Sequence, residues 1–288
     1  MNRRSFLRFS AIALGSIWLP GAMQGYRHVA DLPRGLGLGI NLHQPDNDGR
    51  LAAQNMALAT LQPAWYYNWR QWPFSPVAGQ IPMAHPTPNG NLPPYPLDAA
   101  TIRSAQQSMA AVGVDINAVP WSMCNEPELS GWTPEQAIAA TAAQVRVLWE
   151  CGLRPNIIAP NCGIRWPDHL AYLNEWRRLA PRYGLTYTLS VHIYESDPVQ
   201  LRDAWQRFTA TLNDGDEVII TECGAGWRVP VETWLAIMPH YYALLCDPHV
   251  RALAPFSAYP HEDGAYPGMM TNDGALTPLG VQYLEYVS

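Results

Sequence analysis

Short, continuous runs of apolar residues alternate with longer stretches of helical spacing from residue 36 to the end of the chain. The runs Leu36–His43, Ala64–Trp69, Ile81–His85, Ile116–Asn125, Pro155–Pro160, Leu185–Tyr194, Val218–Cys223 and Ala252–Tyr259 read as eight strands. The stretches Leu51–Ala59, Asp98–Val112, Pro167–Leu179, Pro198–Leu212, Val231–Leu245 and Thr277–Val287 repeat their apolar positions at helical spacing. Another helix opens at Thr133-Pro134-Glu135-Gln136 and ends near Cys151-Gly152. Its punctuation is complete: a Thr cap, Pro in the first turn, Gln at the capping-box position, and a Gly suited to a left-handed end. Asp98 is a plausible cap for the helix it precedes.

The strand runs do not alternate polar with apolar, as expected of parallel strands buried on both faces. Strand and helix follow one another in order, which predicts an α/β fold: a single (β/α)8 TIM barrel over residues 30–288, a length close to the roughly 250 residues such a barrel needs. A doubly wound sheet is rejected. Gly35-Leu36-Gly37-Leu38-Gly39 lacks a third glycine at the phosphate-binding offset and lies before or within the first strand.

Before the barrel, residues 1–25 read as a targeting segment. Asn-Arg-Arg-Ser-Phe-Leu-Arg at 2–8 resembles a twin-arginine export motif, and an apolar run from Phe9 to Leu19 leads to Pro20-Gly21-Ala22. The run is too short for a stable spanning helix. An uncleaved anchor is the other reading. The expectation is therefore export to the periplasm or beyond, with membrane contact only in transit. Cleavage after Ala22 would remove three arginines and no acid, changing the formal charge from −6 to −9.

Composition removes several kinds of chemistry. All 18 basic residues are arginine, so Schiff-base, pyridoxal-phosphate and P-loop mechanisms, which need a lysine, are excluded. No basic patch follows the first few residues, which argues against a nucleic-acid partner. The five cysteines are odd in number and fit no zinc spacing, leaving at least one thiol free in a chain that does not dimerise covalently. The 12 tryptophans and 14 tyrosines suit both core packing and sugar-stacking platforms.

In a barrel, function gathers at the carboxyl ends of the strands. Tyr67-Asn68-Trp69 stands there on strand two, Asn125-Glu126-Pro127 on strand four, His192-Ile193-Tyr194 on strand six, Thr221-Glu222 on strand seven, and Tyr259 on strand eight. Two acids on strands four and seven face one another across the mouth. That pairing suits glycosidic cleavage, in which one carboxyl protonates the leaving oxygen and the other attacks the anomeric carbon or activates water.

These residues resemble clan A of the glycoside hydrolases, retaining enzymes with an Asn-Glu acid/base on strand four and a nucleophile on strand seven. Within the clan, the chain is similar to the glycosyl hydrolase catalytic-core family that contains β-1,3-glucanases (glycoside hydrolase family 128). The likeness rests on Tyr67-Asn68-Trp69, Ile81-Pro82-Met83, Asn125-Glu126-Pro127, His192-Ile193-Tyr194, Thr221-Glu222 and the tail Asp273–Gly280. It implies Glu126 as acid/base and Glu222 as nucleophile. It implies Asn125 on the sugar 2-hydroxyl, and His192 and Tyr194 orienting Glu222. Tyr67, Asn68, Trp69, Trp132, Trp227 and Tyr259 complete the expected substrate-binding set, with Trp69, Trp132 and Trp227 as platforms.

The expected activity is endo-β-1,3-glucanase-like, by a monomer that needs no cofactor and no metal and whose partner is a polysaccharide or oligosaccharide. Two other readings remain: a non-catalytic carbohydrate-binding barrel, and a metal-dependent barrel hydrolase using His43, His85, His192 and Cys124.

Overall fold

A computed structural model describes residues 34–41, 47–69, 79–85, 96–111, 115, 117, 119–261 and 263–287. The segment 1–25 expected to direct export, His43, Val112 and Ile116 lie outside these residues.

Every predicted strand position carries a β segment. The first is split into β1 (Gly35–Leu36) and β2 (Leu38–Gly39). The others are β3 (Tyr66–Tyr67), β4 (Met83–Ala84), β5 (Trp121–Met123), β6 (Ile157–Gly163), β7 (Thr188–Tyr194), β8 (Val218–Gly224) and β9 (Val250–Pro255). Seven α-helices accompany them among the described residues: α1 (Asn47–Leu61), α2 (Ala99–Ala111), α3 (Pro134–Glu150), α4 (Pro167–Leu179), α5 (Pro198–Thr209), α6 (Val231–Ala243) and α7 (Pro278–Val287).

All strand pairings are parallel. One sheet runs β1-β9-β8-β7-β6-β5-β4, and a second pairs β2 with β3. The split at Gly37 explains the division. Gly37 N–H donates to Leu253 O at 2.7 Å, whereas Leu38 N–H donates to Trp65 O at 3.1 Å, so adjacent residues bond opposite neighbours. Tyr66 in turn bridges Gln80, just before β4. The parallel ladder thus curls on itself. Gly37 must lack a side chain, because a Cβ there would lie 2.2 Å from the Trp65 ring.

The helix caps follow the sequence signals. Thr133 and Gln136 form the capping box of α3 at 3.2 and 2.9 Å. Asp98 accepts from Thr101 N–H at 2.8 Å, and Asp197 caps α5 through Val199 and Gln200. Some boundaries move. Strand four is described from Trp121, and ahead of it Asp115 accepts from Asn117 N–H at 2.9 Å, a local bond typical of turns. Strand five runs on past Pro160 to Gly163, with a register break between Pro160 and Cys162. Helix α5 stops at Thr209, where threonine hydroxyls bond back to Trp205 and Phe208 carbonyls.

Alternate residues of the strands face inward. Ile158, Ile219, Ala252 and Ala254 meet Trp65, Tyr67, Ile81 and Met83 in one cluster drawn from widely separated segments. Strand residues of the opposite parity pack under the helices, against Trp176 of α4, Phe208 of α5 and Trp234 of α6. Each fully buried large side chain contributes about 1.5–3 kcal/mol of hydrophobic stabilisation. The five cysteines are all free thiols. No helix among the described residues is long and apolar enough to cross a membrane.

Candidate active site

The site forms where β5, β7 and β8 end. Parallel register sets His192 of β7 beside Glu222 of β8. After β5 the chain turns sharply, with Cys124 and Glu126 both at left-handed φ (+65° and +47°). The turn is pinned by Glu126 N–H donating to Asn161 O at 3.1 Å and Leu129 N–H donating to Glu126 O at 3.1 Å. It aims the Glu126 side chain at the same spot as His192. His192 Nδ1 lies 3.1 Å from Glu126 Oε1 and 3.5 Å from Glu222 Oε2. Donor atoms of the three side chains all fall within 4.8 Å of one another.

The two carboxyls sit in different surroundings. Glu222 is 6 % exposed at its side chain and Glu126 is 25 % exposed. Glu222 Oε1 accepts from Trp69 Nε1–H at 2.9 Å, and Oε2 accepts from the Tyr194 hydroxyl at 2.6 Å. Burial raises the pKa of Glu222, and the nearby Glu126 charge adds to this; His192, Tyr194 and Trp69 oppose it by favouring the ionised form. For His192, burial alone lowers the pKa. The combined pull of Glu222, Glu126 and Glu128 outweighs it and pushes the imidazole up to about 9. His192 is therefore an imidazolium between two acids at neutral pH, although its Nε2 is buried without a partner. Burial first, and then the Glu222 charge, holds the Tyr194 phenol protonated, so it acts as a donor.

Trp69, expected as a sugar platform, is first of all a hydrogen-bond donor to Glu222. Its ring sits edge-on to Tyr67 (4.6 Å) and Phe256 (5.1 Å). Gly39 makes room for it: a Cβ there would come within 2.9 Å of both Trp69 and the Tyr67 hydroxyl. From Phe256 the rings continue outward through Tyr266 (4.4 Å) to Trp227 (5.4 Å), which is 55 % exposed. An aromatic wall thus leads from Glu222 to solvent, and Trp227 stands where a platform is possible.

The structure places the other expected residues as follows. His192 lies closer to Glu126 than to Glu222, so it bridges the pair rather than serving Glu222 alone. Asn68 is buried and committed elsewhere, donating to Gln54 Oε1 of α1 at 2.9 Å and accepting from Gln80 at 3.2 Å. Tyr259 is buried, and its hydroxyl donates to Ala53 O at 2.6 Å. Both tie strands to α1. Tyr67 is buried and supports Trp69 without reaching solvent. Trp132 is half-buried against the core cluster under α3. Asn125 is buried directly before Glu126.

Two residues of the site escaped sequence reasoning. Asn161 is fully buried between the catalytic-end strands, and Glu128 is buried beneath the turn, accepting from Gly163 N–H at 2.7 Å. A polar Asn inside the run Ile157–Cys162 was the available signal, since a buried amide must find partners.

Metal-capable groups converge only as Glu126, His192 and Glu222 among the described residues. Of the other set, His85 and Cys124 do not join His192 in such a group among the described residues. His85 Nε2 lies 3.3 Å from Trp69 O, with burial lowering its pKa to about 4, and the Cys124 thiol lies 3.0 Å from the Thr141 hydroxyl.

Paired carboxyls thus stand at the carboxyl ends of a curled parallel sheet in an α/β fold. Residues 46–283 match the family described as Glycosyl hydrolase catalytic core, and the chain belongs to that family. No curated protein sequence matches it. Among solved structures, a GH128 subgroup II endo-β-1,3-glucanase from Sorangium cellulosum is similar at 19% identity and TM-score 0.62, covering 88% of this chain and 98% of that one. A GH128 subgroup VI exo-β-1,3-glucanase from Aureobasidium namibiae is similar at 17% identity and TM-score 0.60, covering 88% and 97%. A GH128 subgroup VII oligosaccharide-binding protein from Cryptococcus neoformans is similar at 17% identity and TM-score 0.57, covering 91% and 95%. These likenesses establish a shared fold.

Proposed function

We propose that this protein is a retaining glycoside hydrolase of clan A that cleaves β-1,3-glucan, on a (β/α)8 barrel spanning residues 30–288. The observation that carries the reading is the approach of Glu126 and Glu222, whose carboxylate oxygens come within 4.8 Å. Retaining enzymes hold their carboxyls about 5–5.5 Å apart, whereas inverting ones leave about 6.5–9.5 Å for a water. The β-1,3-glucanases among the similar structures and the family membership support the substrate class.

Exposure and hydrogen bonding support the division of roles. Glu222 is the deeper acid, steadied by two hydrogen-bond donors and the nearby His192, and is the nucleophile. Glu126 is more open and is the acid/base. Glu222 attacks the anomeric carbon while Glu126 passes its proton to the leaving glycosidic oxygen, giving a glycosyl-enzyme. Glu126 then takes a proton from water, and that water attacks the anomeric carbon and frees Glu222. His192, charged between the two, offsets their mutual repulsion. Asn125 binds the sugar 2-hydroxyl, and Trp227 is the outer platform. In the same reading, residues 1–25 are a twin-arginine-type signal, the mature enzyme is exported as a monomer, and neither metal nor cofactor takes part.

The test is reducing-sugar release from a panel of β-glucans, mannan and xylan, by the wild type, Glu126→Gln and Glu222→Gln, with and without chelator. Release from a β-1,3-glucan, lost in both variants and indifferent to chelator, supports the reading. Binding without release would favour an oligosaccharide-binding role like that named for the Cryptococcus neoformans structure. Chelator sensitivity would favour a metal.

A further inference from the structure

We infer that Asn161 is a positioning residue that sets the spacing between Glu126 and Glu222; the inference rests on the two-carboxylate reading above. Asn161 belongs to β6, which carries neither acid, yet it is bonded to all three segments that converge on the site. Its carbonyl accepts from Glu126 N–H at 3.1 Å. Its Nδ2 donates toward Cys124 O (2.6 Å), Ser122 Oγ (2.9 Å) and Met123 O (3.1 Å), holding β5 and the turn that aims Glu126. Its Oδ1 accepts from Thr221 Oγ1 at 2.9 Å, the residue before Glu222. Its N–H donates to Ser190 Oγ at 3.0 Å, two residues before His192.

The backbone explains how one side chain reaches so far. Asn161 has φ +56° and stands at the register break between Pro160 and Cys162. Such a break re-aims a side chain, and Asn tolerates the left-handed region better than most residues. The amide is also the right chemistry, since one end must donate to carbonyls and the other must accept from a hydroxyl. An aspartate would set a charge against carbonyl oxygens, and a leucine would leave both sets of partners without a mate in a dry interior.

A role confined to stability predicts activity in proportion to the folded fraction. A spacing role predicts changes in a fully folded enzyme, because small displacements of reacting groups are costly. The comparison is Thr221→Val, which removes the hydroxyl but keeps the branched shape, Thr221→Ser, which keeps the hydroxyl, Asn161→Ser, and the double variant, all assayed well below their melting temperatures. Expected for Thr221→Val and Asn161→Ser is a kcat loss of about 10-fold or more with KM within about twofold. Their pH–rate bells should narrow as the acids move apart and repel less. Thr221→Ser should rescue kcat, and the double variant should fall little below the worse single one.

An unaltered bell, with activity tracking the folded fraction, would overturn the inference. So would a Thr221→Ser no better than Thr221→Val. If Asn161→Ser does not fold, the Thr221 pair decides. If the wild type cleaves no glycan, the functional reading fails separately. The titration of the Glu126 and Glu222 carboxyls by carbon-13 NMR in Thr221→Val and wild type then still decides the role of Asn161: a smaller gap between the two apparent pKa values supports it, and an unchanged gap overturns it.

Discussion

The indole N–H of Trp69 donates to Oε1 of Glu222 at 2.9 Å, across 153 residues of chain. With the Tyr194 hydroxyl on Oε2 at 2.6 Å, it fixes the Glu222 carboxylate from two sides. Hydrogen bonds to a charged group are worth about 1.5–3 kcal/mol. Trp69→Phe and Tyr194→Phe should therefore each lower kcat by roughly 10- to 100-fold, with KM changed much less. Steady-state kinetics on a soluble β-1,3-glucan measures this. An unchanged kcat in Trp69→Phe would return Trp69 to the role of a platform.

Tyr259 and Asn68 are each hydrogen-bonded to α1. Tyr259→Phe removes a buried hydroxyl that donates to Ala53 O at 2.6 Å. It should cost about 1–2 kcal/mol of stability and leave KM unaltered. Chemical denaturation beside the glucanase assay distinguishes this from a substrate contact, which would raise KM at constant stability.

Stability should fall as pH rises from acid to alkaline. Burial raises Glu128 from 4.5 to about 7; Gly163 N–H pulls the other way and the Glu126 charge reinforces the rise. An acid whose folded pKa is raised contributes fully below its unfolded pKa, and that contribution is lost as pH climbs to its folded value. The Glu128 window is therefore about 4.5 to 7. Glu128→Gln should flatten the decline of Tm over that interval, and an equally steep decline in the variant would refute the assignment.

His192 adds a second window. Its pKa is raised from 6.5 to about 9, so its contribution is complete below 6.5 and disappears as pH passes about 9. Glu126→Gln removes one of the charges that hold the imidazolium. The histidine titration followed by proton NMR should then move to lower pH. No movement would mean that Glu126 does not hold the charge.

Trp227 is 55 % exposed at the outer end of the ring series. Trp227→Ala should raise KM about fivefold or more, as loss of an aromatic contact worth roughly 1 kcal/mol or more implies. Its Tm should barely change, because little packing is lost. A large fall in Tm with constant KM would make the ring structural.

Much of this protein was legible in its one-dimensional pattern. Helix α4 begins and ends where the spacing places it, because Pro167 opens it and its apolar face repeats cleanly. The α3 capping box could be read from four letters, since the cap is a local interaction. Glu126 and Glu222 stood out because an acid closing an apolar run must have a purpose or a partner. What local pattern could not decide was direction. Asn68 and Trp69 are neighbours at one strand end, yet one bonds α1 and the other bonds Glu222, since successive side chains point to opposite faces. A strand end shifted at Pro160 because a register break overrides an apolar run. The hub at Asn161 and the bridging of both acids by His192 exist only once β5, β6, β7 and β8 lie side by side. Those contacts join residues tens of positions apart, and only the closing of the sheet brings them within hydrogen-bond reach.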